Sequence, residues 1–148
     1  MRPSPDGAIK LPARSKTVAT WLAVVGGSFG LHRFYLRGFG DLWAWLHPWP
    51  TLVGAYGFWR MRQFGTDDLL GSRLVPWLGL MVAIGMLSAI VYGLTPAERW
   101  RAKFGEKGSG TGWTTIAGVV VALFVGATAT MATIAYTAQR YFELRAPL

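Results

Sequence analysis

The sequence of 148 residues contains no cysteine, and only seven of its residues are acidic. Without cysteine the chain forms no disulfide, thiolate nucleophile or cysteine metal site. Charged residues make up 15% of the chain, against about 25% in an average soluble domain. The missing charge is concentrated in a few places. Four runs lack Lys, Arg, Asp and Glu altogether, namely 18–31, 42–59, 74–94 and 113–138.

These four runs have the lengths of membrane helices. A helix rises 1.5 Å per residue and the hydrocarbon core is about 30 Å thick, so a span needs about 20 apolar residues. The third and fourth runs reach that length alone, and the first reaches it if it continues to Leu36. Pro48 and Pro50 interrupt the second, which leaves open whether 41–62 spans fully or is partly re-entrant.

We therefore predict an all-α, multi-pass membrane protein with four transmembrane helices and short interfacial helices. Three regions follow from the pattern. Residues 1–16 form a basic, disordered arm, and residues 17–70 hold two membrane helices with an interfacial helix between them. Residues 71–148 hold two more membrane helices. An amphipathic linker helix over 96–104 joins them, and its charged residues favour contact with lipid headgroups.

The first run ends in a glycine-rich segment followed by polar and aromatic residues. Gly26 and Gly30 are four residues apart, a spacing that lets a second helix approach closely in lipid. Arg33 would lie about 24 Å along a helix that starts near Thr17. It would therefore reach the far interface, with aromatic neighbours beside it.

Further residues around this segment form a recognisable pattern. The pattern consists of Lys16-Thr17 before the apolar run, then Gly26-Gly27, Gly30 and His32-Arg33-Phe34-Tyr35-Leu36. It resembles the TM-two domain family, a family of two-transmembrane-helix domains, over residues 16–70. The resemblance implies two membrane helices joined by a glycine-rich turn at 38–40 and a short helix. It implies no reaction and no ligand.

The chain departs from this family in its second span. Many members carry an acidic residue there, whereas this chain has Trp-Arg-Met-Arg at 59–62. The resemblance therefore supplies no acidic partner for Arg33 in that span. Two interpretations of His32-Arg33 stay open. The pair contacts a headgroup, an anion or a partner at the membrane surface, or it only anchors the helix with Phe34 and Tyr35.

The fourth run carries the longest row of small residues. Gly118, Ala122 and Gly126 recur every four residues, so they share one helix face. We predict that this face is a helix–helix seam. Together with Gly26 and Gly30 it would assemble the protein with a membrane-protein partner or into a homo-oligomer.

Residue types for catalysis or metal binding are sparse. His32, His47 and the Asp67-Asp68 pair show no metal-ligand spacing. Two histidines with scattered Ser and Thr also make no nucleophile and base pair. We predict no catalytic residue, no cofactor and no metal. Asp67-Asp68 is typical of a helix start. Arg60 and Arg62 are most simply charges that flank a span, with an ion pair to the aspartates as the alternative.

The formal net charge is +8, which occurs both in nucleic-acid-binding proteins and in membrane proteins with basic flanks. The basic residues lie in short segments between the apolar runs, so we predict no nucleic-acid partner. With four spans the Lys and Arg count is nine on one side and six on the other. This bias favours a cytoplasmic location for both termini. We expect the membrane to be the bacterial inner membrane.

The function expected from these features is that of a small integral membrane protein without catalytic activity. It would act as an interaction or scaffolding component in the lipid bilayer. An oligomeric channel or transporter accessory subunit is the alternative. An intramembrane enzyme ranks last.

Overall fold

A computed structural model describes residues 13–105 and 110–145. Within these residues 84% are helical and none is in a strand, so the predicted helical class is confirmed. The helices in chain order are α1 (Lys16–Gly26), α2 (Leu31–Arg37), α3 (Leu42–Leu46), α4 (Pro48–Phe64), α5 (Leu69–Leu94), α6 (Ala97–Phe104) and α7 (Trp113–Glu143), with a 3₁₀ turn at Gly27–Phe29. Residues 1–12 of the predicted arm 1–16 lie outside the described residues.

Among the described helices, two rather than four are by themselves long and apolar enough to cross a membrane. They are α5, with 26 residues and a mean hydropathy of 2.2, and α7, with 31 residues and a mean hydropathy of 2.0. These are the third and fourth predicted spans. The first and second predicted spans have a different construction.

The first predicted span is not one helix. α1 ends at Gly26, and after the 3₁₀ turn Gly30 adopts a left-handed conformation with φ of +77°. Glycine is the residue that takes this conformation at little cost, and glycine also weakens helices. The prediction of a continuous helix over 17–36 is therefore wrong. The chain reverses at Gly30, and α2 runs back along α1.

α1 and α2 form a helical hairpin that lies against α5. At its open end, Lys16 Nζ donates to the carbonyl of Thr95, 2.6 Å away, just after α5 ends. At its tip, a Cβ on Gly27 would lie 2.5 Å from the Cα of Gly85, near the middle of α5. Ten residues of α5 separate these levels, which is about 15 Å. The hairpin thus reaches about two fifths of the length of α5, which is about 39 Å long.

The return of α2 is fixed at the open end. The Tyr35 hydroxyl accepts a hydrogen bond of 2.9 Å from the backbone N–H of Ser15, and the Arg14 guanidinium lies 5.1 Å from the centre of the Tyr35 ring. We call the end of the bundle at Lys16 and Thr95 the upper end. The end at which α4 finishes and α5 begins is the lower end.

α3 and α4 together make the second predicted span. His47, between them, has helical backbone angles of φ −61° and ψ −41°. The helical path therefore continues from Leu42 to Phe64, about 33 Å at 1.5 Å per residue. Pro48 stands in the first turn of α4, where its missing N–H costs little. This path is about as long as the hydrocarbon core of a bilayer is thick.

Polar contacts hold α4 and α5 at the lower end. Arg60 Nε lies 2.7 Å from Asp68 Oδ2, which is the ion pair considered as an alternative for the arginines of this span. Asp68 also caps α5, because Oδ2 accepts from the backbone N–H of Gly71 at 2.8 Å. A carboxylate at a helix N-terminus is favoured by the helix dipole.

α7 runs antiparallel to α5 over its whole length. At the upper end the hydroxyls of Thr17 and Thr115 are 2.7 Å apart. Near the lower end the Tyr136 hydroxyl lies 3.3 Å from Met61 Sδ. Between them, a small core joins α1, α5 and α7 and consists of Ala23, Met86, Ala89 and Ala122.

α6 lies across the upper end, where the linker helix 96–104 was predicted. Its Trp100 is only 1% exposed, and the indole Nε1 donates to the carbonyl of Arg14 at 2.8 Å. The Trp100 and Phe104 rings are 4.7 Å apart. Trp100 therefore binds α6 to the open end of the hairpin.

Candidate functional site

An ion pair closes the turn between α2 and α3. Arg33 donates from Nε to Asp41 Oδ2 at 2.9 Å, and its Nη2 is also 2.9 Å from that oxygen. The other carboxylate oxygen accepts from the backbone N–H of Trp43 at 3.2 Å, so Asp41 also caps α3. The Asp41 side chain is 8% exposed. Arg33 thus has an acidic partner, supplied by the turn rather than by the second span.

The surroundings favour the charged form of Asp41. The hydrogen bond from Arg33 is the largest cause and holds the pKa of the carboxyl below its ordinary value, against an opposing effect of burial. The charge of Arg33, the Trp43 N–H and the more distant Arg37, 3.9 Å away, act in the same direction as that hydrogen bond. The pair is therefore ionised at neutral pH.

His32 is buried beneath this pair. It is 1% exposed, and its ring centre lies 5.9 Å from that of His47 and 5.6 Å from that of Tyr92. His47 Nδ1 lies 2.6 Å from the carbonyl of Trp43, so it carries the proton and donates. His32 Nδ1 has no hydrogen-bond partner in the described part of the chain. A buried polar atom without a partner is uncommon.

The glycines of this segment bind the hairpin to itself. A Cβ on Gly26 would meet the Leu31 side chain, and one on Gly30 would lie 2.8 Å from the carbonyl oxygen of Ala44. The expectation that Gly26 and Gly30 share one helix face is wrong, because the helix ends between them. They allow close contacts within 26–47 and leave no groove for another helix.

Phe34 and Tyr35 also hold the turn. The Phe34 ring lies 5.5 Å from Phe39 and 5.2 Å from Trp45, while Tyr35 is bound at the open end of the hairpin. Since α2 returns to the upper end, Arg33 and its aromatic neighbours lie at the end where α1 begins. The prediction that Arg33 reaches the far interface is therefore not met.

The predicted seam of α7 lies inside the molecule. A Cβ on Gly118 would be 3.1 Å from the Thr20 side chain, and one on Gly126 would be 2.8 Å from Met86. Ala122 is fully buried. This face therefore packs against α1 and α5 of the same chain, and it is not free to assemble a second copy.

Asp41 is the residue that sequence reasoning missed. It is the only acidic residue between Asp6 and Asp67, and that isolation within a basic, apolar region was a usable signal. Thr51 was also missed. Its hydroxyl donates to the carbonyl of Ser28 at 2.6 Å, which joins the tip of the hairpin to α4. No pattern in the sequence indicated that contact.

No group of three or more His, Asp or Glu side chains that could hold a metal ion occurs within residues 13–105 and 110–145. Comparison of the chain with protein-family models, curated proteins and solved structures gave no match. The similarity to the TM-two domain family therefore stays a prediction from the motif residues.

Proposed function

We propose that this protein is an integral membrane protein that acts by binding a partner rather than by catalysis. The apolar surface of α5 and α7 is the main support. Both helices exceed the length that a bilayer requires, yet only 22% of the most apolar stretch of each is buried within the molecule. The core helix of a soluble protein would be mostly buried. A bilayer would cover the rest.

The fold favours three membrane crossings and one re-entrant hairpin in place of the four crossings expected from the sequence. The crossings would be α3–α4, α5 and α7. The hairpin of α1 and α2 would enter from the upper side and return to it. Non-helical backbone is tolerated at membrane depth where protein buries it, and here Gly85 and Thr51 cover Gly27 and Ser28.

This topology changes the orientation argument. The Lys and Arg residues described at the upper end number seven: Arg14, Lys16, Arg33, Arg37, Arg99, Arg101 and Lys103. Those at the lower end number five: Arg60, Arg62, Arg73, Arg140 and Arg145. The larger number at the upper end favours a cytoplasmic upper end, with the end of α7 on the opposite side.

Cysteine labelling tests this topology, since the chain has no cysteine of its own. Single cysteines at Ala13, Gly40 and Leu144 would be probed with an impermeant thiol reagent. We expect positions 13 and 40 to react from the same side and position 144 from the other. Labelling of positions 13 and 40 from opposite sides would support the four-crossing arrangement instead. Loss of the protein from membranes in alkaline carbonate would contradict membrane insertion altogether.

A binding role finds support in α3. This short helix and the start of α4 expose five large apolar side chains, namely Leu42, Trp43, Trp45, Leu46 and Trp49. Aromatic side chains dominate the energetics of many interfaces. The partner would be another membrane protein or a second copy of this chain.

Photo-crosslinking tests the partner surface. A photoreactive amino acid at Leu46 should give a discrete protein adduct in membranes, while the same amino acid at Phe124, exposed on α7, should give lipid adducts only. Equal yields from the two positions would remove α3 as the binding surface.

A channel or transporter accessory subunit is the second candidate. The re-entrant hairpin and the unpartnered Nδ1 of buried His32 favour it, because ionisable groups within a membrane are costly unless they have a function. Ion flux into liposomes that contain only the purified protein would support this candidate. If the flux persists in the His32→Ala variant, conduction does not depend on this histidine.

A further inference from the structure

A polar groove opens at the lower end of the bundle, between the start of α5 and the end of α7. It has a volume of about 310 Å³, and its polar lining consists of Ser72, Arg73, Thr137, Arg140 and Tyr141. The two guanidinium groups are donors of the kind that bind phosphate oxygens. The hydroxyls of Ser72 and Thr137 donate to carbonyls of their own helices. No other part of the proposed function uses this groove.

Arg140 has unused binding capacity there. Its Nη1 donates to Glu143 Oε2 at 2.7 Å, whereas its Nη2 is buried and has no hydrogen-bond partner among the described residues. The side chain is 20% exposed. Since Nη2 has no contact with solvent, a phosphate oxygen in the groove would be bound by the exposed part of the guanidinium.

The charge around the groove suits an anion. Arg73 and Arg140 line it, and the Arg145 guanidinium stacks 4.6 Å from the centre of the Tyr141 ring at its edge. Glu143 is the carboxylate that faces this cluster, and Arg140 engages it. Three positive charges against one negative charge leave an excess that one phosphodiester would reduce.

Apolar surface continues from the polar groove toward the middle of the bundle. Thr137 and Tyr141 also line a second groove beside Ile134 and Phe142, with a volume of about 520 Å³. On α5, Leu80 and Leu87 follow Arg73 at intervals of seven residues, so they share its face, and both line a third groove of about 490 Å³. From Arg73 to Leu87 the helix rises about 21 Å, whereas one leaflet contributes about 15 Å of hydrocarbon.

We infer that this groove binds a glycerophospholipid of the lower leaflet, with its phosphodiester between Arg73 and Arg140 and an acyl chain along the apolar face of α5 and α7. The inference rests on the proposed membrane location. The combination of net positive charge at Arg73 and Arg140 with apolar grooves farther along α5 and α7 selects a lipid over a small soluble anion.

The test uses the full-length protein in a non-ionic detergent and dioleoyl phosphatidylglycerol as the probe, with binding measured by native mass spectrometry. The double variant Arg73→Gln/Arg140→Gln should weaken lipid binding at least about tenfold, since two charge-assisted contacts are lost. Arg62→Gln is the matched control. Arg62 is exposed at the same end but on α4, and its replacement should change the affinity less than about twofold.

A second variant tests the acyl chain independently. Ala127 lines the third groove, and Ala127→Trp would fill it while both arginines stay in place. We expect this variant also to weaken lipid binding. Unchanged binding in the double arginine variant would overturn the inference. Displacement of the lipid by millimolar inorganic phosphate would assign the groove to a free anion, and it would overturn the inference as well.

The membrane role and the lipid site can fail separately. Thermal melts of each variant check that it is folded, and alkaline extraction of membranes checks insertion. If the wild-type protein stays in the membrane and its lipid binding equals that of the folded double variant, the lipid site fails alone. If the wild-type protein is extracted, the membrane role fails and the lipid site fails with it.

Discussion

The hairpin of α1 and α2 and the pair of α5 and α7 both contain small residues, but these residues have opposite effects. In the hairpin, Gly26, Gly27 and Gly30 fall within five residues and the helix ends there. In α7, Gly118 and Gly126 stand eight residues apart and the helix runs unbroken for 31 residues. Isolated glycines lower helix stability slightly, whereas a cluster with one left-handed residue reverses the chain.

The two regions also differ in what holds them. Polar contacts between distant segments fix the hairpin, such as Lys16 to Thr95 and Thr51 to Ser28. In α7 the hydroxyls of Thr130, Thr133 and Thr137 donate to carbonyls of their own helix. Its contacts with α5 are therefore mostly apolar and close. The comparison indicates that the hairpin depends on specific positions, while the helix pair depends on packing as a whole.

Gly27→Leu, in the hairpin, should have the largest effect on stability. A Cβ at this position would lie 2.5 Å from the Cα of Gly85, and backbone cannot move aside as a side chain can. Overpacking of this kind costs about 3 kcal/mol, so we expect a clear fall in the midpoint of unfolding in detergent micelles. The hairpin should separate from α5, which would expose position 13 to faster thiol labelling.

Gly40→Ala is the control for that change. A Cβ on Gly40 meets nothing within 4 Å, and we expect a change below about 0.5 kcal/mol. A midpoint for Gly27→Leu equal to that of the control would show that the hairpin tip does not pack on α5.

Gly126→Leu tests the helix pair and should have a smaller effect. The nearest atoms belong to the Met86 side chain, with Cβ to Cβ at 2.8 Å. The Met86 Cβ cannot move by a change of rotamer, but no backbone atom of another helix lies within 4 Å of the added Cβ, so we expect a loss of about 2 kcal/mol. Thr128→Leu, at an exposed position of α7, should be nearly neutral. Because Gly126 packs within one chain, the variant should lower stability without changing the oligomeric state. A change of oligomeric state alone would place the seam between copies.

Asp41→Asn tests a polar contact of the hairpin and should have the smallest effect on stability. The pKa of Asp41 is lowered in the folded protein, so its ion pair contributes stability above the ordinary aspartate pKa of about 3.9 and loses it as the pH falls below that value. We therefore expect the variant to melt at a lower temperature than the wild type at pH 7. The difference should shrink toward pH 3.

The measurement is a series of thermal melts of both proteins between pH 7 and pH 3. Asp68 also has a lowered pKa, chiefly through its hydrogen bond with Arg60, but it is present in both proteins and cancels in the difference. A difference that is independent of pH would show that Asp41 acts as a helix cap rather than as a charge.

Much of the helical architecture could be predicted because it depends on local composition. The long uncharged runs at 74–94 and 113–138 became α5 and α7, and the pattern at 96–104 became α6. The run at 18–31 misled the prediction, because hydropathy does not distinguish an apolar helix that continues from an apolar helix that turns back. Gly30 carried the missing information, but a glycine in a sequence does not reveal its φ, and the close approach of Ala44 and His47 to Gly30 appears only in the fold.

The candidate site was less predictable for the same reason. Sequence alone indicated the importance of 26–36, and its residues do lie at a reversal of the chain. The partners of those residues come from other segments of the chain. Asp41 lies eight residues after Arg33, and Tyr92 lies sixty residues after His32. A sequence pattern of one helix cannot show which of several neighbouring segments folds onto it.

The sequence by itself determined that this chain is helical and that two of its helices are long and apolar, because composition and helical rise suffice for both conclusions. Only the tertiary structure decided that α1 and α2 form a hairpin, that Asp41 pairs with Arg33, and that the small residues of α7 pack inside the chain. Those outcomes depend on which surfaces meet. That choice follows from the fit of backbone to backbone at Gly27 and Gly85, not from any residue considered alone.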